Sequence, residues 1–553
     1  MMRILIAQMT RMGDVIQTSP MIRALREKHP DAYIAIMVRR MGKAVAEANP
    51  DINEVLVYDE DTMFQHLRSR DSNKLMLAYN LADGYVNELK ARRFDIVYNC
   101  THSLSSAILF RLAGIPNVVG ADLSDDWRYI LRGPGANYFF TSVVHRNYND
   151  VNLCDLFRLF VDAPPPPDGL VLQVRQDDES AVKKLLAEHG IEEEDPFVCF
   201  QLGASDNDKR WPEERFARLA VSMSADRGVR IVLVGVKEES RLGERFEVHA
   251  PNIAVHFFGK TSVPQLAALL KRSRMLITND TGTMHVAAAV KCPIVLASVG
   301  YVHFRETGPY ASDCCAIEQR RGRLVHSSDA RQDTASREAI LPHHVLKAYD
   351  FILEARTTGQ RPLLDDAQEF EGVDFYWSRF APDACLQWYP VIRREMTEGD
   401  YLRAVYRAMW LQIFTHSNSG EREAAAAMRN CYRNPDSRQL GEWATRFESP
   451  ASELAEWAEL GNQRTRQLIG ILESRKNLAE ARGIVSQLIT LDERIRLQGE
   501  LHDCVRPLTA IFQFERDNLE GADPLRVAKD TLVMYANLEQ RARLAIEKCR
   551  LLE

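Results

Sequence analysis

The feature that most constrains this chain is a strand–turn–helix alternation that runs twice, once on each side of a four-proline run. Arg3-Ile4-Leu5-Ile6-Ala7 is short and apolar at consecutive positions, the pattern of a strand buried on both faces. Ile22 and Leu25 fall on one face of a helix that must begin before Met21. Ala32–Val38 and Val55–Tyr58 read as the next strands, and Asp95–Asn99 follows an Arg/Lys-rich helix that ends near Arg93. Pro164–Pro167 fits neither a helix nor a central strand and reads as a stiff linker. The alternation then restarts. Phe197–Gln201, Val229–Val234, Met275–Thr278 and Ile294–Ala297 read as strands, with Pro212–Arg227 and Val263–Lys271 as helices. Alternation of this kind specifies α/β domains with parallel sheets. The expected division is an α/β domain over 1–163, a linker over 164–170 and a second α/β domain over 171–355, with a ligand cleft between the two.

After about Leu364 the pattern changes. Five of the seven Trp residues lie there: Trp377, Trp388, Trp410, Trp443 and Trp457. Ser449-Pro450 and Asp523-Pro524 each read as an N-cap followed by Pro at the first helical position. Leu454, Trp457, Gly461, Thr465, Leu468 and Leu472 keep helical spacing. Residues 366–553 are therefore expected to form an all-α domain without strands. Trp enrichment suits a core or an interface, so this domain is expected to serve assembly, as a homo-oligomer contact, or acceptor docking.

Composition narrows the function. The 553 residues are 46% hydrophobic and 27% charged, which suits a packed globular chain. A formal net charge of -7 gives no basic surplus for nucleic acid. The apolar run at Met1–Ala7 is too short for a signal-peptide core, and no stretch approaches the ~18 residues of a membrane span. The expected location is the cytoplasm, with room for peripheral contact at the inner face of the inner membrane. The 10 cysteines include no Cys-x-x-Cys pair and are expected as reduced, buried thiols. No acidic pair or His/Cys cluster has metal-ligand spacing in either α/β half, so neither a metal nor a cofactor is expected.

Three constellations carry chemistry. Arg11-Met12-Gly13-Asp14 follows the first strand, where α/β sheets place ligands. Gly13 lets the backbone pass close to another group. Asp14, near a helix start, stays ionised. It reads either as a helix cap or as a base that takes a proton from a sugar hydroxyl. Arg11 and Gly13 belong to the same acceptor side. Gly203-Ala204-Ser205, followed by Lys209-Arg210-Trp211-Pro212, reads either as a phosphate site holding Ser205 and Lys209 or as a polar surface loop. Asn279-Asp280-Thr281-Gly282-Thr283-Met284-His285 runs from a strand into an alanine-rich helix. The free N–H groups at its start, with the Thr281 and Thr283 hydroxyls and the small Gly282, suit a diphosphate. Asp280 would repel phosphate and suits sugar hydroxyls or loop fixing. His285, about one turn on, is open to a structural or a functional reading. Glu238 and Glu239, after Gly235, can hold ribose hydroxyls, and Lys260 and Thr261 can face the same nucleotide.

Together these motifs resemble glycosyltransferase family 9, the bacterial heptosyltransferases, over roughly residues 1–350. Met-Gly-Asp-Val at 12–15, Lys-Arg-Trp-Pro at 209–212, Gly-Lys-Thr-Ser at 259–262 and Asn-Asp-Thr-Gly-Thr-Met-His at 279–285 match in order and spacing. The resemblance implies a GT-B fold and an inverting, metal-independent reaction. It implies Asp14 as general base, Lys209 as a phosphate contact and residues 280–285 as the donor loop. It implies an ADP-heptose donor and a lipopolysaccharide-core acceptor. Residues 61–90 look longer than the family's usual connection, and the tail from about 366 is foreign to it. These departures leave a glycan, glycolipid or cytoplasmic protein acceptor open. A sugar-nucleotide epimerase shares the double architecture but needs no acceptor-side Asp14. A non-catalytic scaffold would need none of Asp14, Lys209 and His285.

Overall fold

A computed structural model describes residues 1–144, 146–161, 169–320, 335–360, 363–365, 370–433, 437–474, 478–521 and 523–551. The proline run at 164–167 lies outside them. The strands, in chain order, are β1 (Arg3–Gln8), β2 (Tyr33–Val38), β3 (Glu54–Val57), β4 (Ile96–Asn99), β5 (Asn117–Leu123) and β6 (Tyr129–Arg132). They continue with β7 (Phe197–Gln201), β8 (Arg230–Val234), β9 (Ala254–His256), β10 (Leu276–Thr278), β11 (Ile294–Ser298) and β12 (Cys314–Gln319). The last are β13 (Leu364–Asp365), β14 (Val373–Phe380), β15 (Leu386–Pro390) and β16 (Ile392–Arg393). The chain divides into two compact units, Met1–Ala78 with Val151–Arg394 and Asn430–Arg433, and Tyr79–Asp150 with Glu395–Arg429 and Asn434–Glu553.

In the first unit, β1 pairs in parallel with β2, and β2 with β3. Ile4 to Ala7 are fully buried, which is why this segment reads as a continuous apolar run. The same unit holds an eight-stranded sheet in the order β15-β14-β12-β11-β10-β7-β8-β9. From β12 to β9 neighbouring strands are parallel; β14 and β15 add an antiparallel edge. The order reverses between β7 and β10, and the crevice outside the carboxyl ends of such strands is where open α/β sheets bind ligands. Helix Glu213–Arg227 and helix Pro342–Thr358 cover the sheet through Phe216, Leu219, Val345 and Tyr349, all buried.

Two expectations are corrected here. Strands do not stop at Leu364: β14 and β15 extend the sheet, and Trp377 and Trp388 lie on them rather than in helices. Almost every residue of both strands is buried, so the two-residue alternation that marks a half-exposed strand is missing. The helical run begins only at helix Glu398–Thr415. Ser449-Pro450 is not a helix start either. Pro450 lies inside the 38-residue helix Ser437–Ser474, buried. Tertiary packing of the long helix against helix Pro524–Cys549 overrides the local cost of proline. Asp523 does cap that second helix, with Pro524 at its start.

In the second unit, β4 and β5 are parallel and β5 and β6 antiparallel. The helices from Glu398 onward pack directly on this segment. Arg132 Nη1 donates to Glu520 Oε1 at 2.6 Å, and Leu131 N donates to Asn518 Oδ1 at 3.1 Å. The Tyr138 ring lies 4.8 Å from Trp410 and 5.2 Å from Phe414. The tail is therefore not a separate appendage, and residues 79–150, read from sequence as part of the first α/β domain, share a compact unit with it. Within the helices, Gly461 is small because Tyr535 lies against it: a Cβ there would fall 2.4 Å from the ring.

Candidate active site

Asn279 ends the turn after β10 and holds the loop after β7. Its Nδ2 donates to the carbonyls of Leu202 at 2.9 Å and Gly203 at 3.2 Å, and its Oδ1 accepts from Trp211 N at 2.9 Å. Trp211 is fully buried and donates from Nε1 to Ile340 O at 2.9 Å. Arg210-Trp211 thus anchors the loop, and the loop presents Lys209. Thr281 then takes an extended conformation as the N-cap of helix Gly282–Ala289, and no side chain caps that helix. Its first N–H groups are left for a ligand, at the positive end of the helix dipole. Thr283 donates from Oγ1 to Gln201 Oε1 at 3.0 Å, tying the helix start to the end of β7.

Two buried polar atoms at this helix start lack a hydrogen-bond partner among the described residues: Thr281 Oγ1 and His285 Nδ1. Buried polar groups are nearly always satisfied, so these two orphans on one turn are groups that a polar ligand can satisfy. Lys209 Nζ lies 2.8 Å from Asp280 Oδ2, both side chains largely buried, and 4.7 Å from the centre of the Tyr301 ring. The Lys209 turn is tucked under Gly300, whose φ of +68° and 2.3 Å clearance to Asp208 O would admit no side chain.

Asp14 sits in the first turn of helix Met12–Gln17. Its Oδ2 accepts from Arg11 N at 3.1 Å and lies 2.7 Å from the Thr10 hydroxyl; Oδ1 accepts no hydrogen bond among the described residues. One oxygen therefore caps the helix while the other stays available, so the two readings of Asp14 are compatible. The group that Gly13 lets close is His285: a Cβ on Gly13 would fall 2.6 Å from His285 Cδ2, and one on Gly282 2.5 Å from Met12 Cε. The helix starts at 12–14 and 282–285 thus abut. Burial pushes the His285 pKa down from 6.5, and the nearby charges of Asp280 and Asp14 pull it back up.

The remaining candidates are placed differently. Glu238 is exposed, and the inward carboxylate is its neighbour Glu239. Glu239 Oε2 accepts from Gln201 Nε2 and Val236 N, both at 3.0 Å, and its carboxylate covers Gly203 so closely that a Cβ there would fall 1.6 Å from Oε1. Lys260 Nζ lies 3.0 Å from His189 Nε2 and 5.5 Å from the Phe257 ring centre, so its contacts are not with Lys209 or the helix start. Thr261 is half-buried beside it; Ser205 and Arg11 are exposed. Sequence reasoning missed Gln201 and Tyr301. The signal for Tyr301 was Gly300, two residues past the end of strand β11; Gln201, a lone polar residue ending a strand, gives none. Among the described residues, no group of three or more His, Cys, Asp or Glu is placed to hold a metal ion.

The α/β architecture is GT-B-like, and the chain is a glycosyltransferase. Residues 85–329 match the model of Glycosyltransferase family 9 (heptosyltransferase). Lipopolysaccharide heptosyltransferase 2 of Escherichia coli (strain K12) is 24% identical over 322 residues, 53% of this chain and 82% of that protein. Lipopolysaccharide heptosyltransferase 3 of Escherichia coli is 24% identical over 358 residues, 63% of this chain and 98% of that protein. The crystal structure of a family 9 glycosyl transferase from Veillonella parvula DSM 2008 superposes with a TM-score of 0.53 at 22% identity, covering 64% of this chain and 97% of that one. Over residues 85–329 the chain is similar to glycosyltransferase family 9, and it carries a C-terminal helical extension.

Proposed function

We propose that this protein transfers a heptose from ADP-heptose to a hydroxyl of a lipopolysaccharide-core glycan, inverting the anomeric carbon without a required metal. The observation that carries the reading is the uncapped start of helix Gly282–Ala289 with its two orphaned atoms, Thr281 Oγ1 and His285 Nδ1. The relatives' names supply the sugar and the acceptor. The donor diphosphate lies on the N–H groups of Gly282 and Thr283, with Lys209 as the cation, in the role a metal plays elsewhere. Asp280, paired with Lys209, faces the sugar hydroxyls. Glu239 replaces Glu238 as the carboxylate for ribose hydroxyls, since its Oε1 carries no hydrogen bond among the described residues.

The acceptor oxygen attacks the anomeric carbon as the bond to the diphosphate oxygen breaks. Asp14 Oδ1 takes the acceptor's proton, and the electron pair leaves with the nucleoside diphosphate. A positioned base contributes about 10²–10⁴-fold. A His285 kept neutral by burial presents Nδ1 to a sugar hydroxyl without adding charge beside Asp14. We further propose that the helical extension serves the acceptor side, because it shares a compact unit with residues 79–150 of the N-terminal half. Calorimetric titration with ADP-heptose, ADP and UDP-sugars tests the donor reading. Binding of ADP-heptose and ADP, well above UDP-sugars, is expected. Preference for a UDP-sugar would replace the donor, and no nucleotide binding would overturn the site.

A further inference from the structure

Two helices, Glu60–Leu67 and Ser72–Arg92, meet at a tip that precedes the family-matched stretch. Six of the 23 large apolar residues found exposed among the described residues fall within these 16 positions: Phe64, Leu67, Leu75, Met76, Leu77 and Tyr79, 39–63% exposed. The second helix shows why. Ala78, Val86 and Leu89 bury one face, and Leu75, one turn before Ala78, lies on that same face yet is exposed. Every residue from 72 to 77, at the start of the helix, is exposed.

Charge at the tip is one-sided. Arg68, Arg70 and Lys74 are exposed and make no ion pair among the described residues. The one acid between residues 62 and 82, Asp71, caps the second helix by accepting from Asn73 N at 2.9 Å. The acids at the far end of the first helix are taken: Asp59 pairs with Arg40, and Glu60 and Asp61 with Arg39. Apolar side chains ringed by unpaired cations match a surface with an apolar interior and an anionic face. A second copy of the chain fits worse, because a two-fold contact would set these cations against their own copies.

We propose that the 64–77 tip docks the protein on an anionic lipid bilayer, with Leu75, Met76 and Leu77 entering the headgroup boundary and Arg68, Arg70 and Lys74 holding lipid phosphates. This goes beyond the donor and acceptor proposed above and is read without turnover. The experiment is co-sedimentation of the full chain with vesicles of phosphatidylethanolamine and phosphatidylglycerol, and with phosphatidylcholine alone. Binding to the anionic vesicles at least tenfold above the neutral ones is expected, weakening with salt. Each basic residue near such a surface is worth about fivefold, so Arg68→Glu/Arg70→Glu/Lys74→Glu should lose about a hundredfold or more. Leu75→Ser/Met76→Ser/Leu77→Ser should also release the protein, with nucleotide binding intact as the check on folding. Equal binding to both vesicle types, no binding, or variants that bind like the unaltered chain would overturn the proposal. So would a dimer that these same variants dissolve while vesicle binding is absent.

Discussion

Gly13→Ala tests the contact on which the site depends. Gly13 lies in a helix, so alanine brings no backbone penalty and the effect is purely steric. The added methyl would lie 2.6 Å from His285 Cδ2, 3.3 Å from Nε2 and 3.7 Å from Gly282 Cα. Carbon atoms rest at about 3.5–4.0 Å, so the overlap with the ring is about 1 Å. His285 is 5% exposed and cannot swing aside freely. Either the ring or the two helix starts must shift. Overpacking of this size costs about 1–3 kcal/mol, a few degrees in thermal midpoint. A 1 Å displacement of reacting groups costs about 10²-fold in rate. Thermal unfolding and kcat/KM measure the two effects. Gly84→Ala is the control: it is helical, with nothing within 4 Å of its Cβ, and should gain about 0.5–1 kcal/mol with kinetics unchanged. In a His285→Gln background the Gly13→Ala penalty should change, since the two side chains are in contact. Wild-type stability and kcat/KM in Gly13→Ala would refute the abutment of these helix starts.

Other perturbations follow the same geometry. Lys209→Ala should weaken nucleoside diphosphate binding by about 1.5–3 kcal/mol; an unchanged calorimetric Kd would remove Lys209 from the phosphate site. Because burial holds His285 below its ordinary 6.5, the folded chain refuses a proton that the unfolded chain accepts. The stability this histidine confers is complete above about pH 6.5 and is lost as the pH falls toward its folded pKa, at no more than about 1.4 kcal/mol per pH unit. Denaturant unfolding between pH 7.5 and 5 should show that slope reduced in His285→Gln, and an unaltered slope would contradict it. His102, held down to about 3 by burial, acts in the same direction in the other unit. Removing residues 398–553 strips Glu520, Asn518 and Trp410 from the 131–138 segment and should give an aggregated product. A monodisperse, nucleotide-binding fragment by size exclusion would show that the segment stands without the tail.

The parallel strands were legible because burial on both faces leaves short apolar runs. β7 falls at Phe197–Gln201 as read, and β1, β8, β10 and β11 differ by one residue at an end. The edge beyond β12 was not legible. Val373–Phe380 is rich in Phe, Tyr and Trp, a strand preference, but β12, the strand that joins it to the sheet, lies more than fifty residues earlier in the chain. Pro450 misled because local chemistry favours a start there while long-range packing carries the helix through it. In the candidate site, glycines and hydroxyls marked loops that the structure brings together, since close approach and exposed N–H groups have a compositional signature. Which of two adjacent carboxylates turns inward does not. Glu239 rather than Glu238 does so because Val236 N and Gln201 Nε2 capture its Oε2.

The most direct test is a transfer assay in the presence of EDTA. ADP-heptose and a heptose-accepting lipopolysaccharide core are incubated with the unaltered chain and with Asp14→Asn, and the product is analysed for mass and anomeric configuration. Asp14→Asn keeps a side-chain oxygen to accept from Arg11 N, so its fold and donor binding should persist while turnover falls about 10²–10⁴-fold. One added heptose with inverted configuration, formed despite the chelator and lost in Asp14→Asn, is the predicted result. A product with retained configuration, a requirement for added divalent metal, or full turnover in Asp14→Asn would contradict the account.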